Sequence, residues 1–267
     1  MNFSLLLDAA PRAGSYRHIA ARLLPRGPRG SGWYAEPRPQ RVCHHSSRAS
    51  LLTSARFACC WAAPSTKEGK NVTFCIQQVQ GAGDCLFHSI AISMAFEDEE
   101  CHLDMYDPSL KERVSKLRAL AVKTLTENPN RSLHLEGNQA IVTSELVEAA
   151  AEQYGVTAEA YCNSMSRDGV WGGGPEILAL VNALERPIHV FEPVAACNGT
   201  QFQLQLCGAF GSPQFDSSSP VCIVAADDRF PDCKPTEVKR HGEGGNHFLA
   251  LLPACGLPRP PDESESN

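Results

Sequence analysis

The ten residues GAGDCLFHSI, at positions 81–90, join a strand-like segment to a helix-like one. Residues 73–79 (TFCIQQV) are rich in β-forming residues and end at a Gly-Ala-Gly turn. From Cys85 onward, apolar residues recur at intervals of three and four, which predicts an amphipathic helix: Phe87, Ile90, Ala91 and Met94. This order of strand, glycine turn and helix places Cys85 at the N-terminus of a helix.

A cysteine in this position is a candidate nucleophile. The thiolate is the reactive form of cysteine, and a helix N-terminus favours that anion through its free N–H groups and its dipole. Glycines in the preceding turn also let backbone N–H groups approach a reacting carbonyl oxygen. A thiol that attacks an amide still needs a histidine partner, which must come from elsewhere in the chain.

His247 is the best candidate for that partner among the nine histidines. His88 lies three residues into the same helix, and His189 lies inside the apolar strand PIHVF, where a buried structural histidine is the simpler interpretation. His241 and His247 flank the glycine-rich segment HGEGGNHF, and His247 stands at the start of the apolar strand FLALL. A histidine at the start of a strand can face a site at the edge of a sheet.

The remaining pattern predicts one α/β domain over residues 69–255, with helices mostly in its first half and a small sheet mostly in its second. The further helices are predicted at residues 109–127, 144–154, 157–165 and 176–184, and the further strands at 187–191, 202–206, 221–225 and 248–252.

The two ends of the chain differ from this domain. Residues 1–68 are predicted to be a disordered Arg/Ser-rich arm; residues 1–60 hold nine arginines, no lysine and two acids, a net charge of +7. This composition is typical of a transit peptide for a plastid or mitochondrion. The alternatives are a merely disordered arm, with a cytoplasmic protein, or an artefact of gene-model choice. Residues 256–267 are predicted to be a disordered acidic tail.

Charge and cysteine spacing argue against several classes of protein. The residues after the arm carry a net charge of −13, which makes nucleic acid a poor partner. No stretch approaches the roughly 20 apolar residues that span a bilayer, so we expect no membrane insertion. The twelve cysteines include no CxxC pair, so we expect no metal or organic cofactor, and most thiols are interpreted as reduced and structural.

Three blocks of the sequence resemble the OTU (ovarian tumour) family of cysteine proteases. GAGDCLFHSI is similar to that family's G-D-G-x-C-[LF]-[FY] block, and residues 170–192 (VWGGGPEILALVNALERPIHVFE) are similar to its tryptophan block. Residues 244–252 (GGNHFLALL) are similar to its terminal histidine block. The blocks occur in the family's order over about 180 residues, and the tryptophan block looks most like that of plant and algal members.

The resemblance implies a papain-like architecture, with a small central sheet flanked by helices, and a thiol-dependent deubiquitinase that acts on ubiquitin or polyubiquitin chains. It implies Cys85 as the nucleophile, His247 as the general base and acid, and the backbone N–H groups of Ala82 and Gly83 as the oxyanion hole. Glu176 and Trp171 match the second block, where capping and packing are the simpler roles.

Two positions depart from the family pattern. The family's Asp three residues before the cysteine is Ala82 here, and an Asp instead stands directly before the nucleophile, at Asp84. The position two residues after the histidine is Leu249, where the family often has Asn or Asp to orient the ring. Asp84, Asn246 or a residue from another loop are the candidates for that orienting role. The alternatives to an active deubiquitinase are a weak or inactive ubiquitin-binding module, or an OTU-like cysteine protease with a non-ubiquitin substrate.

Overall fold

The fold is a six-stranded mixed sheet with a layer of helices, seen in a computed structural model of the chain. The structure describes residues 58–64, 71–81, 83–196, 202–226 and 247–253, together with Phe230, Cys233 and Glu237. The strands of the main sheet are β1 (Ala58–Pro64), β2 (Asn71–Gln77), β5 (Ile188–Ala195), β6 (Phe202–Phe210), β7 (Val221–Ala226) and β8 (His247–Pro253). A separate two-stranded hairpin consists of β3 (Ser132–His134) and β4 (Ala140–Val142).

Five helices occupy the described part of the chain between β2 and β5. They are α1 (Cys85–Glu99), α2 (Pro108–Glu127), α3 (Thr143–Tyr154), α4 (Ala158–Met165) and α5 (Gly174–Leu184). Their ends carry the expected signals: Asp107 caps α2 ahead of Pro108, Thr157 caps α4, and Gly155 ends α3 in the left-handed conformation. None of the described helices is long and apolar enough to cross a membrane.

The sheet has the strand order β1-β2-β8-β7-β5-β6, in which only the β5–β7 pair is parallel. The two outermost strands, β1 and β6, contact one another, so the sheet is strongly curled. Inside the curl, Phe74 on β2 and Phe191 on β5 lie with their ring centroids 5.8 Å apart.

Helix α1 is the central element of the core. It packs on β7 and β8 on one side and on α2 on the other, and its side chains are buried nearly all round. The sequence predicted an amphipathic helix here. Its other faces are buried as well, through the large Leu86 and Ile92 and through small residues such as Ala95 and Ser93, whose hydroxyl donates to the carbonyl oxygen of Cys222. Small residues let helices and strands approach closely, which explains how one helix is covered on every side.

The mixed α/β fold and the central sheet flanked by helices agree with the sequence prediction, but the arm is shorter than predicted. Strand β1 lies within residues 1–68, which were assigned to a disordered arm, and it pairs with β2 along residues 71–76. Its sequence, ACCWAAP, has no alternation of apolar and polar residues, so it gave no strand signal. The predicted transit peptide, apart from β1, and the acidic tail lie outside the described residues.

Candidate active site

Cys85 is the first residue of α1, and its side chain is enclosed at 2% exposure. Three backbone N–H groups point at the thiol and lower its pKa: those of Phe248, Leu86 and Cys85 itself. Burial acts in the opposite direction and is the larger effect, and the nearby Asp84 carboxylate adds to it, so the pKa of the thiol is raised above its ordinary value of 9.0. Cys85 is therefore a neutral thiol surrounded by donors suited to an anion.

His247 is the first residue of β8, where it pairs in register with Ala226, the last residue of β7. It is 6% exposed, and its Cε1 atom lies 3.8 Å from the position that a Cβ on Gly81 would occupy. The ring therefore lies over the glycine turn that leads into Cys85. Because the Phe248 N–H binds the thiol, the structure brings the two sequence-predicted residues, Cys85 and His247, to one place.

Gly83 fixes the path of the turn before Cys85. It has φ of +85°, and a Cβ at this position would overlap the carbonyl oxygen of Gly169. Only glycine meets both demands, because L-residues with side chains avoid this region and the neighbouring backbone leaves no space. Ala82, the other residue predicted for the oxyanion hole, lies outside the described residues.

Asp84 has partners other than the histidine that the sequence analysis offered it. One carboxylate oxygen accepts a hydrogen bond from Nη2 of Arg118, and both accept from the backbone N–H of Gly169, at 3.1 and 3.0 Å. These donors belong to α2 and to the loop after α4, so the carboxylate is used to join those segments. The sequence analysis suggested that Asp84 orients the ring of His247. The structure shows Asp84 bound to Arg118 and Gly169 instead.

The position at which the family often has an orienting Asn or Asp carries an apolar residue here. Leu249 is fully buried in β8 and has no polar group to offer. Asn246 lies outside the described residues.

Arg118 is a residue of this site that the sequence analysis missed. It is 2% exposed, and its guanidinium donates to Asp84, to the carbonyl oxygens of Met165 (3.0 Å) and Val170 (2.7 Å), and stacks 4.3 Å from the centroid of Phe87. A signal was present: Arg118 stands four residues after Val114 and three before Ala121, within the apolar stripe of α2. A charged residue on a buried face needs charged or polar partners, and that alone marks it for attention.

Glu176 is the second buried charge-bearing group near the site. It accepts hydrogen bonds from the hydroxyl of Tyr161 and the N–H of Gly173, each at 2.7 Å, and so caps the N-terminus of α5. Complete burial raises the pKa of this carboxyl, while its two hydrogen bonds and the charge of Arg118 act against that rise. The capping role expected from the sequence is the one observed.

Six other cysteines whose side chains are described differ in burial: Cys75, Cys162 and Cys222 are buried, Cys101 and Cys233 are partly buried, and Cys207 is exposed. Burial raises the pKa of Cys222 to about 12, which makes that thiol inert near neutral pH. Cys85 differs from it by standing at a helix N-terminus beside a histidine-bearing strand.

A thiol at the start of a central helix, next to a histidine at the start of a strand, is the arrangement of a papain-like cysteine protease. The family model for OTU-like cysteine proteases matches residues 80–224, and the chain belongs to that family. This match contains Cys85 and ends before His247. No curated protein has significant sequence similarity to the chain.

Solved OTU domains are among the similar structures. One is an ovarian tumour domain in complex with ubiquitin, with 17% identity and a TM-score of 0.37 over 67% of this chain and 69% of that one. The OTU domain of OTUD1 has 13% identity and a TM-score of 0.36, over 67% and 85%. The Hazara virus OTU bound to ubiquitin has 19% identity and a TM-score of 0.36, over 68% and 87%. The family assignment rests on the family model.

Proposed function

We propose that this protein is a thiol-dependent deubiquitinase that hydrolyses isopeptide bonds at the C-terminus of ubiquitin. Membership of the OTU-like cysteine protease family supports the reaction class, and the ubiquitin substrate is part of the proposal. The observation that carries the proposal is the contact between Cys85 and the start of β8, where the Phe248 N–H reaches the thiol directly beside His247.

The reaction uses the thiol as nucleophile and His247 as proton carrier. His247 takes the proton of Cys85 while the sulfur attacks the carbonyl carbon of the terminal ubiquitin glycine. The negative charge on the carbonyl oxygen is stabilised by backbone N–H groups of the turn, for which Ala82 and Gly83 are proposed. His247 then gives its proton to the leaving lysine amine, and water hydrolyses the thioester.

The raised pKa of Cys85 fits a general-base form of this mechanism. A thiol that burial keeps neutral is not a standing thiolate–imidazolium pair, so His247 has to accept the proton as the carbon–sulfur bond forms. The three N–H groups around the sulfur then stabilise the charge that develops during attack.

A second candidate function is a weak or inactive ubiquitin-binding module. The observation that favours it is the departure from the family pattern: Asp84 is engaged by Arg118 and Gly169, and the position two residues after the histidine is the apolar Leu249. A third candidate, an OTU-like protease with a non-ubiquitin substrate, shares the same chemistry and differs only in the acyl donor.

The deciding experiment treats the full chain with a ubiquitin that carries a C-terminal electrophile. We expect one covalent adduct, at Cys85, which is abolished in Cys85→Ala and slowed at least about 100-fold in His247→Ala, the scale of general-base catalysis. Cys222→Ala is the matched control, since it also removes a buried thiol, and it should react normally. Ubiquitin binding without an adduct supports the inactive module; no binding and no adduct supports the non-ubiquitin protease.

A further inference from the structure

Arg118 joins three segments that meet behind the nucleophile. Its guanidinium binds Asp84 in the turn before α1, Met165 at the end of α4, and Val170 in the loop that follows α4. The same group stacks on Phe87, two residues into α1 from Cys85. The Arg118 side chain therefore connects the turn before α1, the end of α4 and the loop after α4.

The contacts of the turn itself depend on this attachment. Gly169, which lies in the loop after α4, donates its N–H to both oxygens of Asp84. The carbonyl oxygen of Gly169 lies where a Cβ on Gly83 would be. The turn and the loop thus pack backbone against backbone. Arg118 holds both sides of that contact, since it binds Asp84 in the turn and Val170 in the loop.

The charge of Asp84 gives this arrangement a chemical consequence. Asp84 is directly next to Cys85, and its side chain is 17% exposed, so water screens its negative charge only in part. A carboxylate beside a thiol opposes formation of the thiolate. Arg118 supplies the opposite charge and turns the carboxylate towards α2.

We propose that Arg118 is a positioning residue for Cys85: it holds the nucleophile turn against the loop after α4 and counters the negative charge of the Asp84 carboxylate next to the thiol. This inference rests on the proposed role of Cys85 as nucleophile. It extends that role to a residue outside the three sequence blocks, on a helix that has no catalytic group of its own.

The test measures how the rate of Cys85 alkylation by iodoacetamide depends on pH, in the full chain, with the modified peptide quantified by mass spectrometry. This readout needs no ubiquitin, so it stays informative if the proposed substrate is wrong. Asp84→Asn removes the opposing charge and should shift the midpoint of the pH profile downward, with alkylation at pH 7 at least about threefold faster. Arg118→Met leaves that charge unpaired and should shift the midpoint upward, with alkylation at least about threefold slower.

The double variant Arg118→Met/Asp84→Asn should return the midpoint to near the wild-type value, because both charges are gone. Arg118→Lys keeps a positive charge and should rescue part of the shift. A merely structural role predicts that both single variants loosen the turn and move the midpoint in the same direction. That result, or an unchanged midpoint in Arg118→Met, would overturn the proposal.

Arg186→Met is the matched control. Arg186 is also buried and lies between α5 and β5, where it donates to the carbonyl oxygen of Ser219 and, at 2.6 Å, to Asp98 near the far end of α1. Asp98 is about 20 Å along α1 from Cys85. This variant should lower the melting temperature as Arg118→Met does and leave the alkylation profile unchanged. A shift in the control as large as that in Arg118→Met would also contradict the proposal.

Discussion

At the scale of single residues, Cys85 combines two opposing influences. Burial raises the pKa of its thiol, and three backbone N–H groups favour the thiolate that the proposed reaction develops. The donors are fixed by the helix N-terminus and by β8, so they need no rearrangement when negative charge appears on sulfur. Burial therefore favours the neutral thiol, while the donors around the sulfur are in place for the charge that develops during attack on a bound carbonyl.

We expect the rate of Cys85 alkylation in the wild-type chain to rise continuously with pH up to and beyond about 9. The raised pKa keeps the thiol protonated below that range, and only the thiolate reacts. The measurement is the iodoacetamide rate at Cys85 against pH, with free cysteine as the reference. A plateau that begins near pH 5 would show a preformed ion pair with His247 and would contradict the general-base mechanism.

Gly83 is expected to be far less tolerant of substitution than Gly137, another glycine with positive φ. Gly83→Ala adds a Cβ that overlaps Gly169, whereas Gly137 has φ of +62° with nothing within 4 Å of a Cβ. Gly137→Ala should therefore lower the free energy of unfolding by about 1–2 kcal/mol, the strain of the left-handed region alone. Gly83→Ala should lose about 1–3 kcal/mol more through overpacking. Chemical denaturation of both variants gives the difference, and equal losses would refute the proposed clash.

Some residues of the site could be predicted from the sequence, and others could not. Cys85 and His247 were predictable because each stands at a junction between a glycine-rich turn and an apolar element. The role of Asp84 was not, because its partners come from α2 and from the loop after α4, 34 and 85 residues further along the chain. Adjacency in sequence suggested that it served the catalytic pair, and its contacts tie it to Arg118 instead.

At the scale of elements, α5 depends on one buried carboxylate at its start. Glu176 binds the Gly173 N–H and the Tyr161 hydroxyl, so it fixes the N-terminus of α5 and connects it to α4. Since α5 packs on α2, this connection also supports the helix that carries Arg118. The Glu176 cap thereby connects the loop of the tryptophan block to α2, the helix whose Arg118 holds the Cys85 turn.

Glu176→Ala should lower the free energy of unfolding by about 1–3 kcal/mol, because it leaves the buried donors of Gly173 and Tyr161 without an acceptor. Glu176→Gln keeps an acceptor and lacks the charge, so it should lose less. Urea denaturation of the two variants provides the comparison.

The contribution of Glu176 to the free energy of unfolding depends on pH with a definite sign. Burial raises the pKa of Glu176 in the folded state, so the stability that this group contributes is fully present at low pH and is lost as pH rises through the folded pKa. Wild type should therefore lose stability relative to Glu176→Gln as pH rises above the ordinary carboxyl pKa of 4.5. A difference that is constant with pH, or that grows in favour of wild type, would contradict this interpretation.

Elements with a periodic pattern were predictable, and those formed by long-range pairing were not. The strands after residue 187 contain short apolar runs, and the five helices carry apolar residues at intervals of three and four, with ends marked by Pro175, Thr157 and Gly155. Hairpin β3–β4 has only three residues in each strand, and it is held from outside by the Asn182 amide, which binds the backbone N–H and carbonyl of His134. Such short strands have too few residues to show a period.

At the scale of the whole molecule, the main sheet is formed by strands from both the start and the end of the folded domain. Strand β1 pairs with β2, and β8 lies between β2 and β7, so the start and the end of the domain are neighbours in the sheet. His247 reaches Cys85 because β8 is inserted beside the strand that leads into the nucleophile turn. The 162 residues that separate the two side chains in sequence are needed to build the helices and strands on which this insertion depends.

The last prediction concerns the segment before β1. All nine arginines of residues 1–60 precede Ala58, where the sheet begins, so the targeting hypothesis applies to residues 1–57 and not to the folded domain. Residues 1–57 fused to a fluorescent protein should direct it to a plastid or mitochondrion in cells that contain both. Replacement of the nine arginines by glutamine should abolish that import, because the basic, acid-poor character is the proposed signal. A diffuse cytoplasmic signal from the unaltered fusion would refute targeting.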